Sequence, residues 1–161
     1  MKYIIQSQQN QNYCIGVTQA GPHQPVVLSF LQGAGSPLTQ WHMDPNTGII
    51  SLVADPQLVL DVQGTGGQGS QLILSHYVLG RASQAWNWLG NPPLISNNAY
   101  PSMVVDNSGA NVSPGNPVLL WGQNNQQNQR WTQLSVPDVE GFLARTKAEP
   151  AGTRVAPTAR A

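Results

Sequence analysis

Apolar positions recur along this chain with a period of 45 residues. Laying residues 1–45, 46–90 and 91–135 over one another without gaps puts Ile4-Ile5 on Ile49-Ile50 and on Leu94-Ile95. Tyr13, Leu58 and Met103 share a column, as do Ile15, Leu60 and Val105, and Leu28, Ile73 and Val118; Trp41, Trp86 and Trp131 close the set. Columns that stay apolar while their neighbours vary mark core-facing positions, and a fixed period of this size marks stacked supersecondary units. Within the copies, V-V-L-S-F-L, Q-L-I-L-S-H-Y and P-V-L-L-W have the length and content of strands bounded by turn residues. The run Val62 to Ser70 is a turn-rich loop without helical period. About four strands per copy and three copies predict a closed all-β assembly, because one such unit cannot bury its apolar face alone.

The repeat ends after Leu134. Residues 136–161 form a separate C-terminal tail, in which 137–147 predicts a short helix with Asp138 as N-cap and Val139, Phe142, Leu143 and Thr146 on one face. From Pro150 the composition predicts a linker.

Composition narrows the function. Charged residues make up only 9% of the chain, and residues 1–135 hold three basic side chains, Lys2, Arg81 and Arg130. A phosphate footprint needs clustered Lys and Arg, so nucleic acid is not an expected partner, nor is an anionic membrane surface. No stretch approaches membrane-spanning length, so membrane insertion is not expected. The N-terminus, M-K-Y-I-I-Q-S-Q-Q, lacks the apolar run of a signal peptide, which predicts a chain that is cytoplasmic or exported without one. Cys14, the single cysteine, reads as a small buried hydrophobe. The histidines His23, His42 and His76 are scattered, with no metal-ligand spacing and no nucleophile elbow, so neither an enzyme nor a metal or other cofactor is expected.

The candidate chemistry lies in the third copy. Asp106 ends an apolar strand, Trp121 ends another fifteen places on, and Asn128-Gln129 precede Trp131. A sugar presents a C–H face that packs on an aromatic ring and a rim of hydroxyls that need carboxylate and amide partners. Taken singly, Asp106 reads equally as a loop-opening residue, Trp121 as core, and Gln129 as a structural amide. Their joint retention in one copy favours a site.

Three endings, Thr39-Gln40-Trp41, Gln84-Ala85-Trp86 and Gln129-Arg130-Trp131, with an aspartate heading two copies, resemble the ricin-type (R-type) β-trefoil lectins over residues 1–135. The resemblance implies a β-trefoil, a barrel capped by three hairpins with up to one shallow sugar site per copy. It implies that the aspartate takes hydroxyls of galactose or N-acetylgalactosamine, that the aromatic stacks on the ring, and that the amides complete the contacts. Carried over, the third copy offers Asp106, Trp121, Asn128 and Gln129. The second offers a weaker set, Asp61, His76, Ser83 and Gln84, with Tyr77 as an alternative ring. The first has Gly16, Leu31, Leu38 and Thr39 at these places, and no site is expected there. Two residues before the ring, where many members carry Gln, this chain has Leu119 and Leu74, which leaves Asn124 to supply a missing contact.

The expected function is therefore a lectin for galactose-type glycans (galactose, N-acetylgalactosamine, lactose), acting through repeats 3 and 2. Each shallow site should bind a monosaccharide at ~mM, about 4 kcal/mol. The expected partners are glycans or glycoconjugates, with avidity from two sites or from a homodimer. Two alternatives stay open: a carbohydrate-binding module of a larger enzyme or toxin, and a trefoil protease inhibitor or structural protein acting through a loop. The last requires Asp106 and Trp121 to lie apart in space.

Overall fold

The computed structural model describes residues 1–31 and 35–147, without the side chains of 146 and 147. The expected linker from Pro150, and Thr146 on the helix face, lie outside the described residues and side chains.

The first copy contributes strands Tyr3–Ser7 (β1), Tyr13–Gly16 (β2), Val27–Phe30 (β3) and Trp41–Met43 (β4). The second contributes Ile50–Leu52 (β5), Asp55–Val62 (β6), Leu72–His76 (β7) and Trp86–Gly90 (β8). The third contributes Pro93–Asn97 (β9), Met103–Asn107 (β10), Val118–Gly122 (β11) and Trp131–Ser135 (β12). A helix, Val136–Lys147 (α1), follows.

The outer strands of the copies pair antiparallel, β1 with β12 and β4, β4 with β5, and β8 with β9, while a bridge between Ile49 and Ala85 joins the second pair to the third. Strands β2–β3, β6–β7 and β10–β11 are hairpins. They meet one another through bridges Pro25–Ile73, Val27–Pro117 and Gln71–Leu119. This is a β-trefoil: a barrel with three hairpins across one end.

Trp41, Trp86 and Trp131 are buried, and each indole N–H donates to a carbonyl of its own hairpin, on Ile15, Leu60 and Val105, at 3.0–3.1 Å. A buried indole without a partner would be costly, so identical bonds in three copies make these residues the struts between barrel and cap. On the pseudo-threefold axis the Gln71 side-chain amide donates to the carbonyls of Val26, Leu72 and Val118.

Those three carbonyls are 46 residues apart, not 45. Strand pairing shows why. Ile15 pairs with Leu28, Leu60 with Leu74 and Val105 with Leu120, so the hairpin lengthens by one residue from each copy to the next. The stretch from hairpin to closing Trp shortens by the same amount, so the Trp columns stay at 45 while the third strand of each copy slides. The gap-free alignment therefore mispairs that strand. The structural counterparts of Trp121 are Ser75 and Ser29, not His76 and Leu31.

The helix starts one residue earlier than expected. Ser135 Oγ accepts the Asp138 N–H at 3.3 Å and acts as the cap, leaving Asp138 in the first turn, where its charge suits the helix dipole. Val139 is fully buried with Ile4, Cys14 and Leu31 in a second, smaller core. Burial there pushes the Cys14 thiol up to about 12, so it is an inert apolar filler.

Candidate functional site

The third hairpin places Asp106 at the end of β10 opposite Leu119, and Trp121 two residues further along β11. Side chains at these positions share a face. Asp106, Leu119, Trp121, Asn124, Gln126 and Asn128 line one hollow of about 340 Å³, walled on the other side by the turn Ser108–Ala110. Its size is at the low end for ligand pockets, which run from ~300 to ~1,000 Å³. Trp121 is 39% exposed, which leaves the indole available as a platform, and Gly69 from the neighbouring copy's loop lies against its edge.

Asp106 is nearly buried. Burial pushes its carboxyl above the ordinary carboxylate value, and hydrogen bonds from Gln129 and Asn128 partly pull it back. Gln129 donates to Asp106 Oδ2 at 2.8 Å and to the Gly122 carbonyl at 2.9 Å, and its Oε1 accepts the Asn124 N–H. With every polar hydrogen of the amide engaged and no exposed surface, Gln129 is a clamp that positions the carboxylate and does not reach a ligand. Asn128 donates to the Asn107 carbonyl at 3.1 Å, which fixes its orientation, and its Oδ1 is buried with no partner among the described residues. An orphaned buried acceptor costs on the order of 1–3 kcal/mol and is an opening for a hydroxyl donor.

The loop wall has its own support, which the sequence reading missed. Asn107 stands in the column of Val17 and Val62. It is fully buried, donating to Gln9 Oε1 and the Asn111 carbonyl and accepting from Asn116 at 2.7 Å. A polar residue in an otherwise apolar column was the available signal.

The second copy repeats the clamp and little else. Gln84, also fully buried, donates to Asp61 Oδ2 and the His76 carbonyl, and accepts the Val78 N–H. Gln84 is thus positional, like Gln129. Asp61 Oδ1 additionally accepts the adjacent Val62 N–H at 2.7 Å; among the described residues no backbone N–H does this for Asp106. Ser75 occupies the place of Trp121, and Val78, by its bond to the glutamine, that of Asn124. Ser83 keeps the place of Asn128, with its carbonyl accepting from Asn97. His76 and Tyr77, expected beside Asp61, line a different hollow that Asp61 does not border. The one-residue slide of β7 is the reason.

In the first copy, a Cβ added at Gly16 would lie 2.8 Å from a Thr39 methyl and 3.0 Å from both the Leu38 carbonyl and Ser29 Oγ. The space that holds a carboxylate elsewhere is filled. Among the described residues, no group of three or more His, Cys, Asp or Glu is placed to hold a metal, and no helix is long and apolar enough to cross a membrane.

Residues 2–131 match the family model of the ricin-type beta-trefoil lectin domain. The chain belongs to the ricin-type β-trefoil lectin family. These are carbohydrate-binding domains, and the chain shares their fold with several solved structures. The C-half of an earthworm R-type lectin in complex with GalNAc is 17% identical, with a TM-score of 0.68 over 83% of this chain and 98% of that one. The ricin B-like lectin of Macrolepiota procera in complex with lactose is 17% identical, TM-score 0.69, over 83% and 94%. A mosquitocidal holotoxin is 18% identical, TM-score 0.72; this chain covers only 17% of its length. No curated protein sequence matches the chain.

Proposed function

We propose that the protein is a glycan-binding lectin whose working site is the hollow of the third copy, with galactose-type sugars as its ligands. The observation that carries this reading is the convergence of Asp106, Trp121 and Asn128 on one hollow of about 340 Å³. Trp121 stacks on the C–H face of the pyranose, Asp106 accepts two hydroxyl protons, and the orphaned Asn128 Oδ1 accepts a third. Asn124 and Gln126, both exposed on the rim, read the flanking groups. Gln129 sets the carboxylate without touching the ligand. Support for the galactose class comes from the two similar structures that hold GalNAc and lactose. No catalytic step is proposed, and the second copy is not proposed as a site of the same type.

Calorimetric titration with lactose, N-acetylgalactosamine and maltose tests the reading. The first two should bind at ~mM with one site per chain, and maltose should not. Trp121→Ala should abolish binding and leave the melting temperature in place, because the ring is partly exposed. Equal binding of maltose would remove the galactose assignment, and binding that survives Trp121→Ala would remove the site.

A further inference from the structure

A second hollow, about 640 Å³, lies between the β4–β5 turn and the β6–β7 hairpin, and the hairpin register explains what it is. Ile49, Val59, Tyr77 and Asp44 help to line it. In the first copy their counterparts are Ile4, Cys14, Leu31 and, from the end of the chain, Leu134. The match at Leu31 is direct: its N–H donates to the Asn12 carbonyl, as that of Tyr77 does to Gln57, and Gln57 follows Asn12 by 45.

Those counterparts are not open to solvent. Ile4, Cys14 and Leu31 form the second core with Val139, and Leu134, Val136, Phe142 and Leu143 pack on it. The first and second copies thus share one groove. In the first copy α1 fills it; in the second copy no described helix does. At the second groove the Tyr77 ring is 44% exposed, and the residues that follow it in the chain, Val78 and Leu79, are 41% and 86% exposed.

We propose that the second-copy groove docks an amphipathic helix of a partner protein, built like α1: a branched aliphatic anchor, apolar residues three and four places later, and a basic residue beyond them. Charge complementarity supports the basic residue. Leu134 and Arg145 border a common hollow in the first copy. In the second, Leu134 is replaced by Asp44, a carboxylate at the rim that accepts the Asn46 N–H at 2.9 Å. A cation at the place of Arg145 would meet it. The chain's own α1 is committed to the first groove, where the Val136 N–H donates to the Lys2 carbonyl, so α1 is not the helix that the second groove takes. His42 and His76 also border the groove and would contact the helix's polar flanks.

The probe is a synthetic peptide of residues 136–147 carrying Gly141→Ala, which favours the helix. It is titrated into the full chain and followed by NMR. Saturable shifts at Ile49, Val59 and Tyr77 are expected, with dissociation in the range of ~0.1 to ~several mM. Tyr77→Ser and Pro56→Glu, both at exposed positions, should each weaken the peptide at least ~fivefold, and Asp44→Asn should remove its salt dependence. Pro56→Glu should leave the melting temperature and lactose affinity unchanged. The proposal is overturned by no saturable shift at ~10 mM peptide. It is also overturned by shifts confined to Ile4, Cys14 and Leu31, which would mean exchange with α1. Lactose shifting Tyr77 would make the groove a sugar site, and concentration-dependent dimerisation broadening Tyr77 would make its occupant a second copy; either result overturns it.

Discussion

In the third copy Asp106 shares its hollow with Trp121, Asn124 and Asn128; around Asp61 the second copy has Ser75, Val78 and Ser83 instead. Both aspartates are buried and both are gripped by a buried glutamine with the same three bonds. The carboxylate–glutamine clamp is therefore part of how each of these hairpins is tied to the barrel, whether or not a ligand can be held. What differs is everything else a sugar would touch: a ring, two amides, and a loop wall held by buried Asn107 where the second copy has Val62. Architecture and recognition use the same aspartate and can be lost separately.

The sharpest test is to cut both carboxylates. Asp106→Asn should weaken lactose binding by more than ~30-fold, since charge-assisted hydrogen bonds are worth roughly 1.5–3 kcal/mol each. Asp61→Asn should leave lactose binding unchanged in calorimetry. Equal losses would mean that both copies bind and that the missing ring in the second is unimportant.

The first copy extends the comparison to a site closed by packing. Gly16→Asp restores the missing carboxylate but drives its Cβ onto Thr39, Leu38 and Ser29. Overpacking of this kind costs about 1–3 kcal/mol, so denaturant melts should show a lower midpoint with no gain of binding. A smaller effect is expected from the double change Ser75→Trp with Val78→Asn, which returns the ring and an amide to the second copy. Stoichiometry with lactose should rise from one to two, the new site being no tighter than ~mM. A stoichiometry that stays at one would place the decisive difference in the loop that Asn107 supports.

What could be read from the sequence follows the same division. The closing tryptophans keep a strict period because each must donate to an equivalent carbonyl in a packed core, and a strut of fixed length tolerates no slide. The trefoil and the third-copy hollow rest on such positions or lie within one copy, so both were visible. The second site was misread because hairpin loops rich in Gly, Asn and Ser absorb one residue without disturbing the core, and a compensating change downstream hides it from a gap-free alignment. His76 and Tyr77 consequently slid into another groove. Gln71 had no legible signal: a single amide serves three carbonyls on the axis, so its role appears in one copy only.

The smallest predicted effects concern Asp106 itself, and they separate its two duties by sign. Burial raises its folded-state pKa above the unfolded value, so ionisation costs the folded state more than the unfolded one. That penalty is fully present above the raised pKa and is relieved as pH falls through it toward the ordinary carboxylate value near ~3.9. Asp106→Asn should therefore raise the melting temperature at pH 7 slightly, on the order of 1 °C, and the gain should fade on acidification. Lactose binding must run the other way. Protonation removes an acceptor from the hydroxyls, so wild-type affinity should fall with pH, beginning above the range of an exposed carboxylate. Melting curves and calorimetry on one pH series measure both. If stability and affinity declined together through the same range, the carboxylate would be needed for the fold, and the separation drawn between the second and third copies would fail at its central residue.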